Sequence, residues 1–450
     1  MLGAFFLLLA IYFYFSPQRY ISVFLLFVLA TACFQLPPLR YMIIPAMGIS
    51  KTYDWVLLFT GVVALLRPQV FLNLPAWKSF KILTLYGAVL IALLFYSIYI
   101  QNVEVSVSIR VFRSLIYFIT LFLFIPLTQV EIQKIFKLII VVTSIVSLVY
   151  CLQLVLHKTL LNNVTSDYTV DGNELNDIVN RYYNLPVFIY PVIFFLFFQK
   201  KIFSIRYRPV LLLFNCAAIL LSQHRNLLLA VIVCFFLHLL LTYSFKVRNL
   251  VFYSIVSIGL VIVADYAWGS RFLKGFQDIS ESSLDVYHTN FYEIKLNELT
   301  TTEFRQLLLL ERLDFILKDN MSSIFGIGLL TDDSRKAANL NFNIGMSDGY
   351  GNVTQVASSD IVWSVLLLQL GLAGIFAFIL FHLSLLKKFF SKRTEPFMQV
   401  GVLYIVCLLI TSFYSNTIVL PYVTMLLMLF AAYYYNLSKR TFINNTDGDN

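Results

Sequence analysis

The chain has 450 residues, of which 59% are hydrophobic, 16% aromatic and only 13% charged, against about 25% charged in an average soluble domain. A mean hydropathy of +0.80 excludes a soluble globular class and reads as an integral membrane protein. The net charge of +9 would suggest nucleic acid in a soluble chain, but the basic residues lie in short loops between apolar runs. That is a topology signal and argues against a nucleic-acid partner.

Because the apolar runs are long and continuous, they predict helices and not the strands of an outer-membrane barrel. The expected class is all-α and polytopic. Spans fall near 2–16, 20–36, 54–72, 79–99, 109–128, 135–156, 184–199, 208–223 and 226–244, then 249–267, 359–386, 397–414 and 417–437, about 12–14 transmembrane helices in all. The first run lacks the basic flank and cleavage site of a signal peptide, so it reads as retained. Cys33, Cys151, Cys216, Cys234 and Cys407 all fall in apolar runs without metal-ligand spacing, as small core residues do.

Cytoplasmic loops retain Lys and Arg. One alternate set of loops carries Arg19, Arg67, Lys78, Lys81, Lys134 and Lys137, then Lys200, Lys201, Arg206, Arg208, Lys246 and Arg248, and finally Lys387, Lys388, Lys392, Arg393, Lys439 and Arg440. This set is assigned to the cytoplasmic side, with 438–450 as a tail. The opposite set contains the acidic stretch 162–180 and the long polar stretch 268–358. The expected organisation is ten spans over 1–267, one large outer loop over 268–358, and three spans over 359–437. Hydrocarbon cannot satisfy irregular backbone, so the loop lies in water or a protein-lined cavity, where chemistry is expected.

Ser222-Gln223-His224-Arg225-Asn226 separates two apolar runs. It reads either as a solvated hairpin with a snorkelling arginine or as a fixed guanidinium donor for an anionic headgroup, with His224 beside it. Arg113 lies one helical turn inside a span, as an anion ligand or one half of a structural pair. Arg181 begins the seventh span, and Arg271 opens the large loop. Within the loop, EFRQLLLLERLDFILK at 303–318 predicts an amphipathic helix, with Arg305 and Arg312 on one face and Glu311 and Asp314 interleaved. A flat interfacial helix would give the same pattern. The glycines of Phe325-Gly326-Ile327-Gly328 suggest a turn or close backbone approach. Asp360 precedes the next span, either capping its helix or serving as a general base. No internal repeat is visible, and Gly (17) and Pro (12) are sparse for a transporter built on broken helices.

Three pieces together resemble the O-antigen polymerase and O-antigen ligase superfamily. These are the Ser-Gln-His-Arg-Asn-Leu-Leu-Leu-Ala junction at 222–230, the run from Arg305 to the Phe-Gly-Ile-Gly at 325–328, and Ser359-Asp360 followed by the helix holding Gly371 and Gly374. The likeness covers about residues 205–385. It implies a GT-C-like glycosyltransferase of a bacterial inner membrane, its large loop periplasmic, that moves a growing glycan from undecaprenyl pyrophosphate to the terminal sugar of a second lipid-linked repeat unit, with no cofactor or metal. Arg225 and Arg305, with Arg312, Arg181, Arg271 and Arg113, would hold pyrophosphate; Asp360, His224 or Glu311 would accept the hydroxyl proton. The partners implied are the lipid-linked oligosaccharide, the bilayer and a chain-length regulator. Ligases of the superfamily, which transfer to lipid A-core, carry a histidine before the span that follows the loop. Here Ser358-Ser359-Asp360 stands there, with no histidine between His288 and His382, which favours the polymerase branch. A lipid-linked oligosaccharide flippase is the alternative of another class.

Overall fold

The computed structural model describes residues 2–45, 48–162, 173–174, 180–182, 184–199, 207–222, 224–242, 247–267, 291, 294, 299–346, 353–356 and 361–446. In chain order the α-helices are α1 (Leu2–Tyr14), α2 (Arg19–Ala30), α3 (Asp54–Leu66), α4 (Leu74–Ser79), α5 (Lys81–Phe95), α6 (Val105–Leu115) and α7 (Thr120–Phe124). They continue with α8 (Gln129–Val155), α9 (Ile189–Phe198), α10 (Arg208–Leu221), α11 (Arg225–Leu241) and α12 (Val247–Ala267). The loop carries α13 (Thr301–Leu317) and α14 (Asn320–Phe325), followed by α15 (Val362–Ser391), α16 (Pro396–Thr411) and α17 (Pro421–Thr446). A two-residue antiparallel ladder, Asn173–Glu174 against Asn180–Arg181, is the sole sheet among the described residues.

The all-α class is therefore observed. Lys81–Ile100, Val105–Phe124, Gln129–Val155 and Val362–Ser391 are each long and apolar enough to cross a membrane. The expected span 54–72 instead stops at Leu66, and the chain turns through 105° into Pro68–Ser79. Proline cannot continue the hydrogen-bond ladder, and Asn73 restarts it by accepting the N–H of Ala76 at 3.2 Å. The expected span 20–36 also ends early. After Ala30, residues Ala32, Cys33, Phe34 and Gln35 take φ of 51°, 53°, 56° and 69°, each a cost of roughly 1 kcal/mol for an L-residue. The Thr31 hydroxyl, accepting from Phe34 N at 3.1 Å, and Cys33 N donating to Val28 O at 2.7 Å hold this left-handed turn.

Aromatic rings knit the bundle. Phe136 of α8 lies with ring centroids 5.0 Å from Phe195 of α9, 5.1 Å from Phe397 of α16 and 4.7 Å from Phe430 of α17, so one side chain fastens four helices. Asn215 of α10 donates to Ser144 Oγ at 2.8 Å and accepts from Ser147 Oγ at 2.9 Å, both on α8. Such paired amides tie helices where water cannot serve as partner. Cys234 and Cys407 are buried and all five cysteines are free, in keeping with a packing role.

The large loop is keyed into the bundle by backbone. Gly371 breaks α15 with φ 62°, and the Leu368 carbonyl receives the N–H of Ile327 at 2.7 Å. Leu329 N donates to Ser97 Oγ at 2.9 Å, and Gln369 Nε2 donates to Leu330 O at 2.8 Å. A Cβ on Gly326 (φ 75°) would stand 2.5 Å from Leu368 O, and one on Gly371 would stand 2.3 Å from Gly326 N. Two glycines thus cross where no side chain fits. Gly326→Ala is expected to lower the thermal midpoint by several degrees in detergent and to speed proteolysis near 326–331, since left-handed φ and a backbone clash both oppose it, at about 1–3 kcal/mol. An unchanged melt and cleavage pattern would refute the crossing.

Candidate functional site

At the end of the bundle that carries the loop, α13 lies against α15. Its start is set by a capping box: Thr300 Oγ1 accepts from Glu303 N at 3.3 Å, and Glu303 Oε2 accepts from Thr300 N at 2.9 Å. Leu307, Leu308 and Ile316 are buried, so the helix is packed into a loop body and not laid flat in an interface. Leu317 is 54% exposed. Asp314 pairs with Lys318 at 2.8 Å on the exposed side.

Arg305 and Arg312, although seven residues apart, have different surroundings. The Arg305 guanidinium lies over the Tyr414 ring, 5.3 Å from its centroid, just beyond α16. Next to it Trp363 Nε1 donates to Ser412 Oγ at 3.1 Å. Phe413 and Tyr414 keep part of their surface open. Arg312 is 2% exposed. It donates to Glu311 at 2.5 Å, to the Ile344 carbonyl and to Gln355 O at 3.4 Å, with its carbon plane 4.3 Å from the Phe342 ring centroid. Glu311 in turn accepts from Asn343 N at 2.7 Å and Ile344 N at 3.1 Å. Burial pushes the Glu311 carboxyl up, opposed by those N–H donors and by Arg312; burial pulls Arg312 down to about 10, still charged at neutral pH. Expected as a base and a pyrophosphate ligand, this pair is instead consumed in holding 342–346 and 353–356 to α13. Every oxygen of Glu311 already has a donor, so neither residue is kept as a site candidate.

Arg225 is the first residue of α11, and α11 runs antiparallel to α16. Cys234 Sγ donates to Leu403 O at 3.4 Å. One turn deeper, His238 stacks 3.8 Å from Phe198, whose neighbour Gln199 donates to Gln399 at 3.1 Å. The same register carried nine residues toward the loop, about 14 Å, brings Arg225 level with Ser412. Arg225, by this register, and Arg305, over Tyr414, therefore lie at about the same level, that of the loop end of α16. His224 precedes α11 in extended conformation without capping it; Ser222 turns back onto Ile219 O at 2.7 Å.

Arg113 lies on α6, apart from Arg225 and Arg305. Its Nη1 lies 3.3 Å from Asp54 Oδ2 and its Nη2 donates to Ser50 Oγ at 2.8 Å, the structural pairing weighed for it above. Arg181 belongs to the small ladder by its backbone. Arg271 and Asp360 lie outside the described residues. Asp332 accepts Gln355 N and Val356 N, each at 2.8 Å, and Asp333 pairs with Arg110 at 2.5 Å. Among the described residues no three His, Cys, Asp or Glu side chains gather as metal ligands would. Tyr414 and Trp363 were not singled out by sequence; their one signal was aromatic residues at the end of a span.

The loop also grips α6 through carboxylates. Glu104 accepts Arg335 N at 3.0 Å, which holds it below its ordinary pKa; the Thr331 hydroxyl and then Arg110 do the same for Asp333. With folded pKa values depressed, this contribution is complete above the ordinary carboxylate range and is lost as pH falls through the folded values. Hydrogen exchange at 331–336 is therefore expected to accelerate below about pH 4, corrected for its intrinsic pH dependence. Protection unchanged down to about pH 3 would contradict the assignment.

No protein-family model matches the chain, and no curated protein matches it.

Proposed function

We propose that the protein is a polysaccharide polymerase of a bacterial inner membrane. Its spans, about 12–14 if the shorter apolar helices also cross, would place the loop on the periplasmic side, as the distribution of Lys and Arg favours. The substrate class is a polyprenyl-pyrophosphate-linked oligosaccharide, and the reaction transfers the growing glycan to the terminal sugar of a second lipid-linked unit.

One observation carries this reading: Arg225 and Arg305 come from distant parts of the sequence yet lie level with the loop end of α16, where Tyr414 and Trp363 stand beside Arg305. Two guanidinium groups suit a pyrophosphate, whose charge grows as the glycan leaves; fixed cations at that point stabilise the transition state more than the ground state. The half-open aromatic rings beside them offer flat faces to a sugar. Asp360 stays the proposed acceptor of the hydroxyl proton, with His224 second. Glu311 drops out because its oxygens are already engaged.

The test is to incubate the purified protein in nanodiscs with the host's own lipid-linked repeat unit, without nucleotide or added metal, and to resolve the products by size. A ladder spaced by one repeat supports the polymerase. No ladder, but transfer to a lipid A-core acceptor, would make it a ligase. Absence of both products would overturn the glycosyltransferase reading.

A further inference from the structure

We infer that the face of α6 bearing Arg110 and Arg113 holds the phosphate headgroup of a second polyprenyl lipid, at the far end of α13 from Arg225 and Arg305. That this lipid is the acceptor rests on the polymerase reading; that it binds there rests on α6 alone.

The helical repeat divides α6 into three strips. Val107, Ser108, Val111 and Leu115 point inward and are buried. Arg110 and Arg113, one turn apart, lie on a second strip, beside a third formed by Val105, Ile109, Phe112 and Ile116. Val105 and Ile109 on that strip are exposed. A pair of cations flanked by an open apolar strip at a span's end matches an amphiphile with an anionic head and a hydrocarbon tail. It fits neither a soluble anion nor a protein surface as well.

Charge supports the same occupant. Lys51, Arg110, Arg113, Arg335 and Lys336 gather here and outnumber Asp54, Glu104 and Asp333. The Arg110 and Asp333 side chains are 42% and 55% exposed, and an ion pair so open to water is readily exchanged for phosphate. Arg335, 96% exposed, reaches Glu104 only at 3.9 Å and remains available to an anion. Arg113 spends Nη1 and Nη2 on Asp54 and Ser50, and its Nε–H is buried with no acceptor among the described residues.

The spacing also fits two lipids. Arg305 lies near the start of α13, whereas Ile316 near its end shares a packed cluster with Val103 and Val107. Eleven residues of helix separate these ends by about 16 Å. A polymerase holds two pyrophosphate-linked chains at once, and one set of arginines cannot neutralise both. Here α13 spans from one cationic site to the other, so the loop would fix the distance between donor and acceptor heads.

A diazirine-bearing polyprenyl monophosphate without sugar tests this in phosphatidylcholine nanodiscs, with labelled peptides read by mass spectrometry. The wild-type protein is expected to label within 105–116, and Arg110→Gln with Arg113→Gln to cut that label about ten-fold. The label should persist in Arg225→Gln with Arg305→Gln. Arg110→Gln alone removes only a half-exposed side chain, so the fold survives; it should weaken the label, and Arg110→Lys should keep most of it. Absence of label on α6 in the wild type, an unchanged label in the double variant, or equal competition by phosphatidylglycerol would each overturn the site. Because the probe carries no sugar, the result is independent of turnover. Labelling at α6 without a product ladder sinks the polymerase reading alone, and a ladder without labelling sinks this site alone.

Discussion

Arg312→Met is expected to unfold the loop body while leaving the helical bundle assembled. Arg312 pairs with its neighbour Glu311, joins α13 to Ile344 and Gln355 and covers the Phe342 ring, so three chain segments meet at one guanidinium. Removing one member of a buried, hydrogen-bonded pair strands the other's charge, at about 3–5 kcal/mol. Glu311→Gln should cost less, because an amide oxygen can still accept from Asn343 or Ile344. The double variant Glu311→Gln with Arg312→Met should recover part of the loss, since no unpaired charge remains. Limited proteolysis in detergent separates these outcomes: fast cleavage within 299–356 in Arg312→Met, slower in the double variant, with the bundle resistant in all. Wild-type cleavage in Arg312→Met would remove the pair from its structural role.

How far the chain was legible follows from the kind of signal each part carries. The apolar runs located nearly every long helix, because hydrophobic length is a local property; α5, α8, α11 and α16 begin or end close to their expected positions. The failures are at α2 and α3. A left-handed turn at 32–35 and a proline after Arg67 end those helices inside apolar sequence, where hydropathy is blind to backbone. Glu311 and Arg312 misled for a different reason. Charged residues in a polar loop read as solvated or catalytic, and only the fold shows that 342–346 returns to cover them. Conversely the Gly326 and Gly371 crossing was half legible: each glycine hinted at close approach, but their being partners is tertiary. Arg225 and Arg305 were named from sequence as cations on one side; that α16 brings them to one level could not be read from residues eighty positions apart. The Thr300 and Glu303 capping box is legible as a T-x-x-E pattern.

Neutralising either of the two arginines level with the loop end of α16 is expected to have the largest effect on activity. Arg225→Gln and Arg305→Gln should each slow ladder formation by about 10²–10³-fold, the loss seen when one donor to a developing oxyanion is removed, or about 2.7–4 kcal/mol of transition-state stabilisation. The fall should lie mostly in kcat, because the pyrophosphate is already charged when it binds and gains further charge only as the glycosidic bond breaks. Lysine at either position keeps the charge but not the planar fork, so Arg225→Lys and Arg305→Lys should fall between wild type and the glutamine variants. For Arg305 a second control is available in its ring partner. Tyr414→Phe leaves an aromatic face under the guanidinium and should stay near the wild-type rate; Tyr414→Ala removes that face and should reproduce part of the Arg305 defect without touching a charge. Each variant must first match the wild-type melt, because a folding defect would also stop turnover. Well-folded Arg225→Gln and Arg305→Gln proteins that extend the ladder at the wild-type rate would leave both arginines as anchors at the membrane boundary, and the catalytic reading of this end of α16 would be withdrawn.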